Sequence, residues 1–191
     1  MVGNIPNFTN IDVLRCFLRF NRNTSRHELA REMELGEGTV RSILEVLKFK
    51  RLLGSNKKGH FLSKKGKKTL GEINGFIKLV KGIKTKSLYP GLEKIGVQLK
   101  GTSGLKEIYK LRDVAVKHGA EGALILEFDG NLRAPDSNYE QDYKELERLF
   151  DLNSGDVLAI AFSSEKRKAE NGALAIAIEL CSPLKKFISE L

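Results

Sequence analysis

The sequence predicts a two-domain chain of mixed α+β and α/β class. Residues 1–86 are expected to form a helical domain with a β-hairpin, and residues 87–191 a small βαβ-type α/β domain. Three observations support this division. Apolar residues repeat at helical spacing on both sides of the turn Gly36-Glu37-Gly38, and strand-like and helix-like segments alternate in the second half of the chain. Between these regions, glycines and Pro90 interrupt any period, which indicates a linker.

The first predicted helix supports the N-terminal domain. Thr9 or Asn10 can cap it, and apolar side chains then repeat at helical spacing as far as Phe20. Cys16 lies in this helix, and Cys181 lies far along the chain in another apolar segment. Cysteines placed in this way indicate buried free thiols rather than a disulfide bond or a metal site.

Two short helices follow, joined by the glycine turn. Ser25 and Glu28 form a capping-box pattern at the start of the first of them. The apolar faces consist of Leu29, Ala30 and Met33 in the first helix and of Val40, Ile43, Leu44 and Leu47 in the second. Two short helices with a tight turn form a helix-turn-helix, in which the second helix can enter the major groove of DNA.

The outward side of that second helix holds the candidates for base contact, which are Thr39, Arg41 and Ser42. The N-terminal part of a recognition helix reaches base edges, where arginine pairs with guanine and serine or threonine can donate or accept. For Arg41, a phosphate contact is the alternative. Glu37 can either interact with the helix N-terminus or accept a hydrogen bond from cytosine, and the sequence leaves both open.

A hairpin with a basic tip comes next. Short apolar runs at residues 52–55 and 60–62 flank Asn56-Lys57-Lys58-Gly59, whose glycine suits a positive φ. We expect Lys57 and Lys58 to contact backbone phosphates or the minor groove. Such contacts position a protein on DNA without reading the base sequence.

A fourth helix is expected after Ser63 and is predicted to extend to the neighbourhood of Val80. Its first turn contains Lys64 and Lys65. Cations at this position oppose the helix dipole by ~0.3–1 kcal/mol each. Phosphate binding would explain their presence, and a solvated lysine-rich surface is the alternative.

The charge distribution favours a polyanionic partner. The net charge is +9, and residues up to Pro90 contain 19 Lys and Arg against 7 Asp and Glu, while the remainder contains 14 against 17. The basic charge therefore belongs to the N-terminal half. A lysine-rich surface alone does not predict such a division, so we expect double-stranded DNA as the partner.

Over about its first third, the chain resembles the winged helix-turn-helix transcription regulators of bacteria and archaea. The resemblance depends on Glu28-Leu29-Ala30, Gly38-Thr39-Val40-Arg41, Leu44, Leu47, Leu52-Leu53 and Leu62-Ser63-Lys64-Lys65-Gly66. It implies a DNA-binding transcription regulator in which the hairpin is the wing. Winged helices also bind RNA or dock to other proteins, so an RNA-binding or protein-docking module is the alternative.

The C-terminal domain is predicted as alternating strands and helices. The expected strands are residues 95–100, 122–128, 132–134 and 157–162, and the expected helices are residues 105–118, 137 or 138 to 150, and 164–180. A strand over residues 173–180 is the alternative to the last helix. We favour the helix, because alanine has a poor strand propensity. With the N-terminal domain, Arg112-Asp113-x-Ala115 and Gly119-Ala120-Glu121-Gly122-Ala123 resemble archaeal winged-helix proteins with an uncharacterised C-terminal domain. That resemblance implies regulation without specifying a ligand.

A candidate effector site lies where predicted strands end. It consists of the turn Gly101, Thr102, Ser103 and Gly104, of Ser163 and Ser164, and of Asp129. The turns offer backbone N–H groups and hydroxyls at helix N-termini, which suit a small anionic effector. If the strands are parallel, all these residues share the carboxyl edge of the sheet. Ordinary turns with capping hydroxyls are the alternative.

Enzymatic activity is not indicated. His27, His60 and His118 are scattered over both predicted domains, and no Cys/His cluster has the spacing of a metal site. The turn at residues 101–104 lacks the lysine of a nucleotide-binding loop. We therefore predict no catalytic residue, no metal and no cofactor, and an enzyme that uses this turn is a further alternative.

The expected location is the cytoplasm. No run approaches the ~20 apolar residues of a membrane span, and the N-terminus lacks the form of a signal peptide. We expect no membrane partner and a homodimer, with residues 87–191 as a domain for effector binding or dimerisation.

Overall fold

The computed structural model describes residues 7–85, 87–102, 105–135, 137 and 141–191. The protein is mixed α/β, with an N-terminal helical part and a C-terminal sheet. It divides into two compact units. One contains the described residues up to Ile73 together with Lys186–Leu191, and the other is Asn74–Lys185.

The described residues up to Asn74 form four helices and a two-stranded hairpin. In chain order these are α1 (Asn10–Phe17), α2 (Arg26–Met33), α3 (Glu37–Phe49), β1 (Leu53–Asn56), β2 (Gly59–Leu62) and α4 (Lys64–Asn74). The caps follow the local sequence. Thr9 and Asp12 form a capping box at α1, and the Ser25 side chain accepts the Glu28 amide at α2.

The core of this unit is formed by the apolar faces of the first three helices. Leu14, Leu29 and Ile43 are fully buried and come from α1, α2 and α3 respectively. Phe187, from the C-terminal segment, stacks on Phe17 of α1 with ring centroids 5.0 Å apart. The last residues of the chain thus complete the N-terminal core.

The C-terminal unit is built on a five-stranded sheet. Its strands are β3 (Ile77–Gly82), β4 (Glu93–Leu99), β5 (Gly122–Phe128), β6 (Leu132–Arg133) and β7 (Val157–Ser163), in the order β3-β4-β7-β5-β6. Every neighbouring pair is antiparallel. The sheet is therefore not the parallel sheet that the βαβ prediction implied.

The reason lies in the position of β7. Strands β4 and β5 each pair antiparallel with β7, so they run in the same direction, as a βαβ unit requires, but β7 lies between them. This is the split form of the βαβ unit. Alternation along the sequence predicts the unit but does not determine which strand lies beside which.

Helices cover one face of the sheet. They are α5 (Ile108–Lys117) and α7 (Lys166–Leu180). Two further helices are the single turn α6 (Lys144–Glu147) and α8 (Ser182–Ser189), which lies at the end of the chain. Small residues let α7 approach the sheet closely, because a Cβ atom at Gly172 would lie 2.6 Å from the Cβ of Ala120 and 3.1 Å from that of Ala161. A second cluster, which includes Leu124, Leu158 and Phe150, forms a separate part of the core.

One helix of the C-terminal unit is much shorter than predicted, one was not predicted, and one alternative is resolved. The helix expected up to Phe150 is reduced to α6, Ser137 lies outside any helix, and Asn138 lies outside the described residues. Residues 173–180 are helical, as favoured, and α8 has no counterpart in the prediction.

The start of the C-terminal unit also differs from the prediction. The helix expected to reach Val80 ends at Asn74, and the following segment forms the edge strand β3, which pairs with β4. The two units consequently separate between Ile73 and Asn74, before the predicted boundary at residues 86 and 87. Pairing with a distant strand decides the conformation of this segment.

Both cysteines are free and buried. Burial raises the pKa of the Cys16 thiol to about 12, so this thiol stays protonated and packs as an apolar side chain. Among the described residues, no helix combines the length and apolar character that crossing a membrane requires.

Candidate nucleic-acid interface

Helix α3 presents its predicted contact residues outward. Arg41 and Ser42 are exposed and Thr39 is half-buried. Val40 and Ile43, on either side of Arg41 and Ser42 in the sequence, are fully buried. The Ser42 hydroxyl donates to the carbonyl of Gly38 at 3.3 Å. The period of the apolar stripe alone therefore places the three polar side chains on the solvent side.

Glu37, at the start of α3, is held by two basic side chains of α2. Arg26 Nε donates to Glu37 Oε2 at 3.0 Å, and His27 Nδ1 lies 3.0 Å from Oε1. The hydrogen bond with His27 is the main reason that the pKa of the Glu37 carboxyl lies below its ordinary value, and the hydrogen bond with Arg26 lowers it further. Glu37 therefore links α2 to α3, a role that was not among the two left open by the sequence.

A short bridge fixes the hairpin to the segment before α2. The Thr24 amide donates to the His60 carbonyl, and the His60 amide donates to the Thr24 carbonyl, both at 3.0 Å. Gly59 makes this close approach possible, since it has φ +117° and a Cβ atom there would lie 2.7 Å from Thr24 O. The exposed lysines Lys57 and Lys58 thus project from an anchored hairpin.

A groove of about 450 Å³ lies between α2, α3 and β2. Its lining residues are Arg26, His27, Glu37, Arg41, Leu44, Glu45, Lys48 and His60. Three of these residues are Arg or Lys and two are Glu, and Lys48 forms an ion pair with Glu45 at 2.9 Å. The groove is therefore basic, but its acidic residues offset much of its charge.

Arg41 is the groove residue that the sequence predicted as a DNA contact, and the residues that it missed include Arg26, Lys48 and His60. For Lys48 the signal was available, because Glu37, Arg41 and Lys48 follow helical spacing on one side of α3. For Arg26 and His60 the sequence contains no such signal, since only the tertiary structure brings the start of α2 and the hairpin next to α3.

His60 contributes no positive charge to the groove near neutral pH. Burial lowers the pKa of its imidazole, and the nearby positive charge of Lys48 lowers it further. The pKa of Glu45 is also lowered, chiefly by its hydrogen bond with Lys48. The Arg and Lys side chains that line the groove are Arg26, Arg41 and Lys48, and they face the carboxylates of Glu37 and Glu45.

The lysines at the start of α4 are exposed, as predicted. Ser63 caps this helix by accepting the Gly66 amide at 3.0 Å. The Lys65 ammonium donates to the carbonyl of Lys50, just past the end of α3, at 3.1 Å. Lys65 therefore contacts the C-terminal end of α3, where a cation is electrostatically favourable, whereas Lys64 points to solvent in the first turn of α4.

The structure does not bring the predicted effector residues to one edge of the sheet. Leu99 pairs with Val157 and Glu93 pairs with Ser163, so the segment after β4 and the segment after β7 lie at opposite ends of the sheet. Ser103 and Gly104 lie outside the described residues. The single effector site expected from parallel strands is therefore wrong, because the strands are antiparallel.

The turns at each end of the sheet form hydrogen bonds within the protein. At one end, the Thr102 amide donates to Gly155 O at 3.1 Å, and Asp129 accepts the Ser154 hydroxyl at 2.9 Å. Gly101 precedes this contact in a left-handed conformation. These hydrogen bonds join the segments after β4 and β5 to the turn that precedes β7.

At the other end, a carboxylate occupies the turn after β7. Glu121 Oε1 accepts the Ser164 amide at 2.7 Å and the Ser163 hydroxyl at 3.4 Å. These hydrogen bonds lower the pKa of Glu121, and the one from the Ser164 backbone has the largest effect. The groups expected to bind an external anion thus bind the protein's own carboxylate. Across the described residues, no group of three or more His, Cys, Asp or Glu is arranged to hold a metal ion.

Comparison with known proteins gives two family matches and matches to solved structures. Residues 11–68 match the model of the PH0730-like, N-terminal domain, and residues 90–180 match that of a domain of unknown function, DUF4443. The fold is similar to that of the hypothetical protein PH0730 from Pyrococcus horikoshii OT3, with a TM-score of 0.77 and 27% sequence identity. The match covers 95% of this chain and 100% of that chain. The chain resembles an archaeal protein along nearly its whole length.

The two family matches agree with the division into two units. The N-terminal match at residues 11–68 lies within the first unit, and the match at residues 90–180 lies within the second. PH0730 is described as hypothetical, so its name supplies no activity. A search of the curated proteins finds no match to the chain.

Proposed function

We propose that this protein is a transcription regulator that binds double-stranded DNA through a winged helix-turn-helix formed by α2, α3 and the β1–β2 hairpin. In this proposal α3 enters the major groove, and the hairpin is a basic wing on the phosphates. The observation that carries it is the arrangement of α3, which turns Arg41 and Ser42 to solvent beside a groove bordered by the hairpin.

The groove supports a reader of sequence better than a general binder of phosphate. Glu37 and Glu45 lie among its basic residues, and carboxylates repel phosphate but can accept from the amino group of cytosine. Nonspecific affinity then has to come from charges outside the groove. Lys57, Lys58 and Lys64 are exposed and can supply it.

The first test concerns base recognition by Arg41. We expect Arg41→Ala to weaken binding to a duplex selected from a randomised library by about 1–3 kcal/mol, and to relax preference at one base pair. Fluorescence anisotropy at fixed salt, repeated with single-base variants of the duplex, measures both effects. Arg148→Ala, the same change at an exposed position of the C-terminal unit, is the control. Uniform weakening on all duplexes would instead assign Arg41 to a phosphate.

The second test concerns the wing. Replacing Lys57 and Lys58 with alanine should weaken binding to every duplex alike and reduce the slope of log affinity against log salt by about 0.9 for each lost phosphate contact. A salt titration of the wild-type and variant proteins on one selected and one unrelated duplex measures this slope. If the slope is unchanged, the hairpin does not contact DNA.

Binding of structured RNA or of an acidic protein is the alternative function for the same surface. Competition of a folded RNA hairpin against the selected duplex separates these functions. Preference for the RNA, with loss of that preference in the Lys57 and Lys58 variant, would replace DNA as the partner. Control by a small anionic effector also remains a prediction, and its site would not unite residues from the two ends of the sheet.

A further inference from the structure

One edge of the Arg26 guanidinium is held by the protein at the start of α2. Arg26 Nε donates to Glu37 Oε2 at 3.0 Å, and Arg26 Nη2 lies 3.0 Å from the same oxygen. The other oxygen of this carboxylate, Oε1, lies 3.0 Å from His27 Nδ1. The carboxylate is therefore fixed by two side chains of α2, and it limits the orientations of the guanidinium in turn.

The other edge of the guanidinium is available to a further molecule. The contact with Glu37 occupies the edge that Nε and Nη2 share. Within the described part of the chain, the edge that Nη1 and Nη2 share meets no acceptor. Two N–H groups on one edge of a guanidinium form a planar fork, which binds two acceptors side by side.

This edge belongs to a side chain that lines the same groove as Arg41. Both arginines are exposed and border the space between α2, α3 and β2. The side chain of Arg26 retains 47% of its exposure although it is paired with Glu37. We therefore expect a duplex that receives α3 in its major groove to bring base edges within reach of both arginines.

The carboxylate beside Arg26 favours a base over a phosphate as the bound group. A phosphate is the usual partner at this position, because the first helix of a helix-turn-helix crosses the DNA backbone. An anion bound by Arg26 would, however, lie close to the Glu37 carboxylate and be repelled by it. Guanine carries no net charge and presents N7 and O6 as adjacent acceptors in the major groove. The fork therefore matches guanine better than phosphate.

We infer that Arg26 reads a guanine of the DNA site and that Glu37 is a positioning residue, which orients the guanidinium for that contact. The inference rests on the proposed DNA binding and specifies a base pair that the groove recognises. It also explains why a surface that binds a polyanion has a carboxylate at the start of its recognition helix.

Removal of the Glu37 charge tests the inference, because net charge alone predicts the opposite result. Electrostatics predicts that Glu37→Gln strengthens binding to every duplex. We expect it instead to weaken binding to the selected duplex about 10-fold and to tighten binding to an unrelated duplex. Glu45→Gln is the matched control, since it removes the same charge from the same groove but from a carboxylate that pairs with Lys48. This control should weaken neither duplex. Fluorescence anisotropy at fixed salt measures all four affinities.

Modified DNA identifies the contacted atom. Replacing the guanines of the selected duplex one at a time with 7-deazaguanine removes the N7 acceptor and keeps the base pair. At least one replacement should weaken binding of the wild-type chain about 10-fold. The same replacement should have no effect on Arg26→Lys, which keeps the charge but not the planar fork. Its effect should persist in Arg41→Ala, because a different arginine makes that contact.

A double variant distinguishes positioning from a merely structural role of Glu37. If Glu37 acts through Arg26, the Glu37→Gln/Arg26→Lys protein should bind the selected duplex no more weakly than Arg26→Lys alone. If Glu37 only joins α2 to α3, its loss should add to that of Arg26→Lys. Circular dichroism verifies that each variant is folded.

The outcomes separate this inference from the proposed function. Tighter binding of the selected duplex by Glu37→Gln overturns the inference, and so does a duplex in which no 7-deazaguanine effect depends on Arg26. Uniform weakening of all duplexes by Arg26→Lys assigns this residue to a phosphate and also overturns it. Each of these results leaves the DNA proposal to the tests of Arg41 and the wing. A wild-type chain that selects no duplex overturns the DNA proposal and this inference together.

Discussion

Replacing Gly66 with alanine is expected to destabilise the protein by about 3 kcal/mol. A Cβ atom at this position of α4 would lie 2.1 Å from the carbonyl oxygen of Leu52 and 3.0 Å from its carbonyl carbon. Both are backbone atoms, and the same oxygen accepts the Ser63 amide at 2.9 Å. The clash can be relieved only if α4 moves away from the segment that joins α3 to the hairpin. Urea unfolding followed by circular dichroism measures the loss.

The same helix supplies the matched control. Gly71 is exposed, and a Cβ atom there would meet nothing within 4 Å. Gly71→Ala should therefore stabilise the protein by about 0.5–1 kcal/mol, through helix propensity and a less flexible unfolded chain. The two substitutions are chemically identical and are expected to have opposite signs. Similar small effects from both would contradict the close packing of α4 on Leu52.

The N-terminal helices could be predicted because their determinants are local. Thr9 and Ser25 cap helices within three residues of their partners, and the apolar stripe of α3 fixes which side chains face solvent. For the same reason the exposure of Arg41 and Ser42 followed from periodicity alone. What periodicity could not supply was the bridge between Thr24 and His60, which depends on the path of the chain in space.

The first strand of the sheet could not be predicted from its own residues. Leu70, Ile73 and Ile77 follow one another at spacings of three and four, which helices and irregular segments share. Gly75 ends the helical pattern, and pairing with β4, more than ten residues later, makes residues 77–82 a strand. Tertiary contacts here override the local pattern.

The candidate effector site failed for a related reason. Its described residues do lie at or just past strand ends, but its assembly required neighbouring strands to be parallel. Because β7 lies between β4 and β5 and is antiparallel to both, Ser163 lies at the end of the sheet opposite to Thr102. In the turn after β7, the carboxylate of Glu121 accepts the hydrogen bond of the Ser164 amide. Strand order is a property of the whole domain, and no motif of a few residues contains it.

Removal of the Arg15 guanidinium should have the largest effect, a loss of about 3–5 kcal/mol in the free energy of unfolding. Arg15 and Asp12 are 1% and 0% exposed. Arg15 donates to Asp12 Oδ1 at 2.8 Å and to the carbonyl of Met33, at the end of α2, at 3.2 Å. Arg15→Met keeps the length and apolar stem of the side chain but leaves a buried carboxylate without this cation. Urea unfolding measures the difference.

A double-mutant cycle shows whether the loss comes from that uncompensated charge. Asp12→Asn removes the charge while keeping an oxygen that can accept the Thr9 amide, a hydrogen bond that Asp12 makes at 3.0 Å. In the Asp12→Asn/Arg15→Met protein neither charge is buried, so it should be more stable than the sum of the single losses implies by about 1 kcal/mol or more. Additive losses would mean that the two side chains act independently. In that case the stabilising role of Arg15 would be its bond to Met33, which fastens α1 to the helix that supplies Arg26 to the groove.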